Sequence, residues 1–158
     1  MIRALNHAVL YVRSAERTAA FYVDVLGFRP KMEMPGAVFL QAPDSENDHD
    51  LGLFSIGDAA SSSPAGRGGA VGLYHLAWEV GTLADLVAIR ERLTAAGALV
   101  GASDHGTTKS LYAQDPDGIE FEVMWAVPRA DWPAQVGTYP LDLDGALARW
   151  PGLDTADA

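Results

Sequence analysis

The sequence predicts an α+β fold in which one βαβββ pattern is used twice. Two segments rich in β-branched and aromatic residues, Leu5-Asn6-His7-Ala8-Val9-Leu10-Tyr11-Val12 and Leu73-Tyr74-His75-Leu76-Ala77-Trp78-Glu79-Val80, read as matching strands, each with a histidine near its start. An amphipathic stretch of helical period follows each one directly. The two histidines stand about 68 residues apart, a period too long for a solenoid unit and suited to two modules related by a pseudo-twofold axis.

The remaining elements follow in order. Ser14 suits the N-cap of a helix running to about Leu26, with Arg17 at the third helical position leaving the capping box incomplete, and Gly27 stops that helix. Strand-like runs then cover Phe28 to Met34, Ala37 to Gln41 and His49 to Ile56, separated by Pro35-Gly36 and by the polar run Pro43 to Asp48. Residues 59–71 include Ser61-Ser62-Ser63-Pro64-Ala65-Gly66-Arg67-Gly68-Gly69, which cannot build a core and reads as a linker between module one (1–58) and module two (72–126). Its Gly66-Arg67-Gly68-Gly69 lacks the lysine and hydroxyl ending of a phosphate loop and precedes a strand, so it is read as connection. In module two Thr82 caps a helix from Leu83 to about Ala96, Gly97 stops it, and strands follow near Leu99, at Lys109 to Gln114 and at Ile119 to Ala126. The helix keeps its apolar residues on one stripe and its charges on a solvated face. Residues 127–158 are punctuated by Pro128, Pro133, Pro140 and Pro151 and read as a C-terminal extension. Its Trp132, Tyr139 and Trp150 are expected to cover a sheet or meet a partner subunit.

Composition narrows the function classes. A chain of 158 residues that is 49% apolar can bury a core and suits a single domain, 1–158. Its 21 acidic and 11 basic residues give a formal charge of -10, which disfavours nucleic acid and anionic membrane surfaces as partners. There is no cysteine, which excludes disulfides, thiolate metal sites and thiol nucleophiles, so a metal would have to use imidazole and carboxylate. With no membrane-length apolar run and no signal-peptide pattern around Arg3, a cytoplasmic location is expected, with assembly into a homo-oligomer.

The turn Asp115-Pro116-Asp117-Gly118 permits a sharper inference. Pro116 and Asp117 suit a type I turn, and Gly118 suits the left-handed position of a three-residue hairpin loop. The register that follows sets Tyr112 directly opposite Glu122 on one sheet face, about 5 Å apart at Cβ. Glu120 shares that face and is the other carboxylate available there.

Asn6 to Val12, Tyr74 to Val80, and Asp104-His105-Gly106 through Tyr112, the Asp-Pro-Asp-Gly turn and Glu122 together resemble the vicinal oxygen chelate superfamily over about residues 1–126. That superfamily includes glyoxalase I, bleomycin-resistance proteins and type I extradiol catechol dioxygenases, and the resemblance is nearest to the dioxygenases. It implies two βαβββ modules forming a curved mixed sheet around a divalent metal held by His7, His75 and Glu122. Two neutral imidazoles and one carboxylate leave adjacent positions open, which suits Fe(II), with Mn(II) as the alternative ion. The superfamily motif places the carboxylate seven residues after Asp115, which favours Glu122 over Glu120.

The same resemblance makes His49 the histidine over the oxygen-binding position, and His105 with Tyr112 the pair that hydrogen-bonds a catechol oxygen. Ring cleavage by dioxygen needs one proton removed from the diol and one delivered to reduced oxygen, tasks suited to imidazole near neutral pH. Residue by residue, His49 also suits a cap on the polar loop before its strand, and Tyr112 an ordinary cross-strand aromatic. His105 and Tyr112 share the spacing of single-domain relatives and differ from the two-domain dioxygenases, while Ile119 stands where an asparagine often follows the turn. The implied activity is Fe(II)-dependent extradiol cleavage of a catechol-like diol with dioxygen. The alternatives are a glyoxalase-type isomerase or lyase, or a non-catalytic drug-binding resistance protein of the same fold. The isomerase normally needs a fourth ligand near the end of module one's last strand, and Leu51 to Gly57 contains no Asp or Glu.

Overall fold

The computed structural model of the chain describes residues 1–61 and 72–153, so most of the linker, including Gly66-Arg67-Gly68-Gly69, lies outside the described residues. The element order is β1 (Ala8–Val12), α1 (Ala15–Leu26), β2 (Arg29–Met34), β3 (Ala37–Gln41), β4 (Leu51–Ser55), then β5 (Leu76–Glu79), α2 (Leu83–Ala95), β6 (Leu99–Asp104), β7 (Thr108–Gln114) and β8 (Glu120–Ala126). This is the βαβββ pattern twice over. The hydrogen bonding forms two four-stranded mixed sheets, β1-β4-β3-β2 and β5-β8-β7-β6. In each, the first strand of the module lies parallel to the last and the other pairings are antiparallel. The chain divides into two compact units, Met1–Ser63 with Asp115–Gly118, and Pro64–Gln114 with Ile119–Ala158.

In the first unit, β1 alternates as a strand with one buried face should: Leu10 and Val12 are buried while Val9 and Tyr11 are exposed. Ser14 caps α1, its hydroxyl accepting from the Arg17 N–H, and Gly27 ends it in the left-handed conformation at φ 78°. The buried stripe of α1, including Ala19, Tyr22 and Val25, packs on β3 and β4 over Leu40, Leu51 and Leu53. Asp117 also belongs to this unit. Its carboxylate, 6% exposed, accepts from the Arg13 backbone at 2.7 Å and from the Arg13 and Arg17 guanidinium groups.

In the second unit, Leu83, Leu86, Ile89 and Leu93 form the buried stripe of α2, and Leu111, Phe121, Val123 and Trp125 supply the sheet side of the core. Thr82 caps α2 as the sequence predicts. Asp85 completes a capping box by accepting from the Thr82 N–H, a role that the shorter Asp side chain also fills. The Asp115 to Gly118 turn places Gly118 at φ 81°, and the predicted register is the one observed, with Tyr112 opposite Glu122.

The extension differs from its irregular reading. A short 3-10 turn (Arg129–Asp131) is followed by a helix, α3 (Leu143–Arg149), capped by Asp142. The four prolines hide the apolar period, although Asp142 with Leu143 and Ala146 carries the cap and the buried positions. The extension packs on its own module: Trp150 meets Trp125 at 5.4 Å, α3 contacts α2, and Tyr139 forms an antiparallel bridge with Asp104 through two 2.9 Å bonds. That bridge covers part of β6, the edge strand of this sheet. Among the described residues no helix is long and apolar enough to cross a membrane.

The loop before β4 is organised by one buried carboxylate. Asp50 accepts from the Ala42 N–H at 2.8 Å, Ser45 Oγ at 2.8 Å and Asn47 Nδ2 at 2.7 Å. Burial pushes its carboxyl up, but these donors outweigh burial and hold it below the usual range. A depressed folded value means that the contribution to stability is complete above the unfolded value of about 3.9 and is lost as pH falls through the folded one. Asp50→Asn is expected to cost about 1–3 kcal/mol at neutral pH and to shrink the stability lost on acidification below about pH 4. Denaturant titrations of both proteins from pH 3 to 7 check this; parallel stability curves would show that Asp50 does not carry the acid sensitivity.

Candidate functional site

All four histidines lie at strand ends or in loops, and local pairing explains why. β1 begins at Ala8 because its partner β4 begins at Leu51, and β5 begins at Leu76 opposite Phe121. His7 and His75 therefore stand one residue before their strands, at equivalent points in the two modules, where the sequence reading places them inside. His49 likewise precedes β4 and sits in the loop that Asp50 organises.

In the first unit, the His7 and His49 rings lie 4.6 Å apart, and the edge of His49 meets Phe39 at 5.0 Å. Phe39 in turn contacts Phe54 at 5.7 Å, so the pair of imidazoles borders an aromatic floor. His7 Nδ1 lies 2.9 Å from Asn6 Oδ1, and Asn6 Nδ2 donates to Asn47 Oδ1 at 3.0 Å. The Asn6 oxygen accepts, which puts the hydrogen of a neutral His7 on Nδ1 and leaves the Nε2 lone pair available. Asn47 also donates to Asp50 and to the Asn6 carbonyl, tying the segment before β1 to the loop that carries His49. His49 Nδ1 is 2.9 Å from the exposed Asp48 carboxylate.

The second unit brings together the other candidates. His75 Nε2 lies 3.1 Å from Glu122 Oε2, with side-chain exposures of 23% and 12%. His75 Nδ1 is buried without a hydrogen-bond partner, so the polar anchoring of this ring runs through Nε2, supported by the rings of Tyr74 at 4.6 Å and Tyr112 at 5.8 Å. Tyr112 stands across the β7–β8 pair from Glu122, and its hydroxyl lies 2.8 Å from His105 Nε2. Burial raises the Tyr112 phenol above its ordinary value, and the nearby Glu122, Tyr74 and Glu120 raise it further, outweighing a Ser110 side-chain hydrogen bond that lowers it. His105 Nδ1 faces the Gly137 carbonyl at 3.2 Å, a contact supplied by the extension.

The family model of the Glyoxalase/Bleomycin resistance protein/Dioxygenase superfamily matches residues 4–123. The chain belongs to this superfamily. It is similar to a catechol-2,3-dioxygenase of Bacillus subtilis (strain 168), 28% identical over 149 residues, which cover 90% of this chain and 50% of that protein. It is 35% identical over 121 residues to biphenyl-2,3-diol 1,2-dioxygenase 3 of Rhodococcus globerulus, covering 76% of this chain and 62% of that one. The chain thus spans about half to three-fifths of the length of these relatives. Among solved structures it resembles a lactoylglutathione lyase from Agrobacterium tumefaciens at a TM-score of 0.58 and 27% identity, over 79% of this chain and 95% of that one.

For this superfamily member, the donor chemistry of His75 and Glu122 fits a divalent ion. Two ligands bonded at about 2.1 Å and at right angles around one ion lie about 3 Å apart, close to the spacing of this pair. Among the described residues no set of three or more His, Asp and Glu side chains is gathered tightly enough to hold an ion. His75 and Glu122 form a pair, and His7 belongs to the other unit. The sequence reading missed Asn6, Asn47 and Asp50, although their polar side chains beside His7 and His49 were visible in it. Gly137 had no signal, because it acts through a backbone carbonyl.

Proposed function

We infer that this chain is an Fe(II)-dependent extradiol dioxygenase that opens the ring of a catechol-like aromatic diol, with His7, His75 and Glu122 as the metal ligands. The observation that carries this reading is the wall formed by β5, β7 and β8, where the His75–Glu122 pair adjoins the Tyr112–His105 hydrogen bond. An imidazole–carboxylate pair suited to a divalent ion thus stands beside a phenol–imidazole pair suited to a substrate hydroxyl. The similarity to dioxygenases of catechol and biphenyl-diol supports the same chemistry.

Bound Fe(II) supplies what side chains cannot, namely coordination of the diol and of dioxygen together with electron transfer between them. The residues do the rest. Tyr112 and His105 orient the diol through one oxygen, while His49, packed against His7 and Phe39, holds and moves a proton through its imidazole. Within the first unit the Phe39 and Phe54 rings give His49 an apolar border.

The likeness to a lactoylglutathione lyase favours a second reading, a metal-dependent isomerase or lyase. Oxygen uptake separates the two, because isomerisation consumes none. The deciding assay is anaerobic loading with Fe(II), followed by oxygen consumption with a panel of catechols. Failure to consume oxygen with any of them, at full metal loading, would overturn the dioxygenase reading.

Two sets of substitutions test the assigned roles. His75→Ala and Glu122→Gln are each expected to keep the folded circular-dichroism spectrum and to weaken Fe(II) binding by more than the roughly 10–100-fold that loss of an outer partner costs. Equilibrium dialysis against Fe(II) reads this directly, and unchanged stoichiometry and affinity in both variants would remove these ligands.

His49→Phe is expected to retain metal and catechol binding while turnover falls about 10²- to 10⁴-fold, the scale of a positioned acid or base. Tyr112→Phe should be milder, about ten- to hundred-fold in kcat/KM, because one hydrogen bond to substrate is lost. Turnover in His49→Phe equal to wild type would return His49 to a structural role in its loop.

A further inference from the structure

Among the described residues, the C-terminal extension meets the Tyr112–His105 pair at His105 Nδ1, and that contact has a polarity. Neighbouring contacts hold the extension there. Tyr139 bridges Asp104 through two 2.9 Å backbone bonds, Pro133 occupies the space where a Cβ on Gly106 would lie only 2.7 Å from its ring, and the Gly137 carbonyl lies 3.2 Å from His105 Nδ1. Gly106 has φ +80°, so its lack of a side chain serves both the backbone turn and the seating of Pro133.

A carbonyl oxygen can only accept. The Gly137 contact therefore requires the hydrogen of a neutral His105 on Nδ1. Thr138 Oγ1, 3.4 Å from the same nitrogen, can accept from that N–H as well, so one tautomer satisfies both neighbours. The other tautomer would turn an Nδ1 lone pair towards the Gly137 oxygen. The Asp104 carboxylate beside this ring directs its hydrogen bonding to Lys109 Nζ at 2.6 Å and the Gly106 N–H at 2.7 Å. With Nδ1 protonated, Nε2 must accept, and the Tyr112 hydroxyl 2.8 Å away must donate to it.

We propose that the extension is a positioning element of the active site: the Gly137 carbonyl fixes the His105 tautomer, and this commits the Tyr112 oxygen to accept a hydrogen bond from a substrate hydroxyl. The inference rests on the dioxygenase reading for the identity of that hydroxyl and names its class, an un-ionised phenol. The proton path follows and balances. As the substrate O–H bond breaks, its proton passes to Tyr112 Oη and the Tyr112 proton passes to His105 Nε2. This leaves a substrate oxyanion and an imidazolium whose Nδ1–H remains on Gly137, with no electrons transferred. His105 is then the terminal acceptor and Tyr112 the group that touches substrate. Gly137 acts only through His105, and because its acting atom is main chain, no side-chain truncation at that position removes it.

Long-range ¹H–¹⁵N spectra of the full chain, free of metal and substrate at neutral pH, report the His105 tautomer, with His105→Gln identifying its signals. Wild type is expected to show the Nδ1–H form. In Tyr139→Pro, which removes one of the two bridge donors, the ring nitrogen shifts should move towards a mixture of tautomers. Gly137→Ala, whose Cβ would meet the Tyr139 ring at 2.6 Å, should move them in the same direction and serves if the proline variant does not fold. An Nε2–H or doubly protonated ring in wild type overturns the proposal. So does an unchanged Nδ1–H signal in folded variants whose Tyr139 amide has lost its protection from exchange. The readout needs neither iron nor turnover, so an inactive protein with the expected tautomer would defeat the dioxygenase reading alone, and an active one with the Nε2–H tautomer would defeat the positioning role alone.

Discussion

The pairing of β7 with β8 is the constraint on which the second unit's chemistry depends. Asp115, Pro116, Asp117 and Gly118 close that hairpin with Gly118 in the left-handed conformation, and the closure places Tyr112 opposite Glu122. Side chains alternate between faces along a strand, so a slip of one residue would turn Glu122 away from His75 and bury it among Phe121, Val123 and Trp125. The turn is also anchored at its tip, since Asp117 takes the Arg13 backbone and both neighbouring guanidinium groups. A buried carboxylate with these partners resists slippage more than a solvated loop would, because each bond lost would leave charge poorly solvated.

Duplication explains where the histidines stand. In both modules the first strand lies parallel to the last, and the ladder starts at the residue after the histidine, Ala8 opposite Leu51 and Leu76 opposite Phe121. The residue just ahead of the first strand is thus released from the ladder at the same place in each copy, and both places hold histidine. There the backbone no longer dictates the side-chain direction, and hydrogen bonds take over: Asn6 holds His7, and Glu122 holds His75. The two copies have diverged around this shared position. The first backs its histidine with a polar network running to Asp50, whereas the second backs its own with the rings of Tyr74 and Tyr112.

Much of this was legible because it is encoded locally. Helix caps at Ser14 and Thr82, the stops at Gly27 and Gly97, and the β7–β8 register each depend on a few adjacent residues with one cheap backbone solution. The readings that needed adjustment depend on distant partners. Local pattern extends the strands past their ends because a strand stops where its neighbour stops, and it does not mark α3 because prolines on both sides hide its period. The Asp50 network has no local signature because its donors come from three different positions of one loop, and nothing in their order announces a shared acceptor.

By itself, then, the sequence determined the duplicated βαβββ order, the two capped helices, the hairpin register and a short set of candidate residues, since all of these follow from periodicity and turn chemistry. The family resemblance already favours Glu122 over Glu120 and groups His105 with Tyr112; tertiary structure decided the contacts themselves. It set His75 Nε2 against Glu122 and His105 Nε2 against the Tyr112 hydroxyl, laid His49 against His7 and Phe39, and brought a backbone carbonyl from the extension to His105. Those meetings span distances along the chain that no local rule reaches. They are settled by strand pairing and side-chain packing within each unit and by the need of each buried polar atom for a partner, and a carbonyl carries no residue-specific mark in the sequence by which it could have been found.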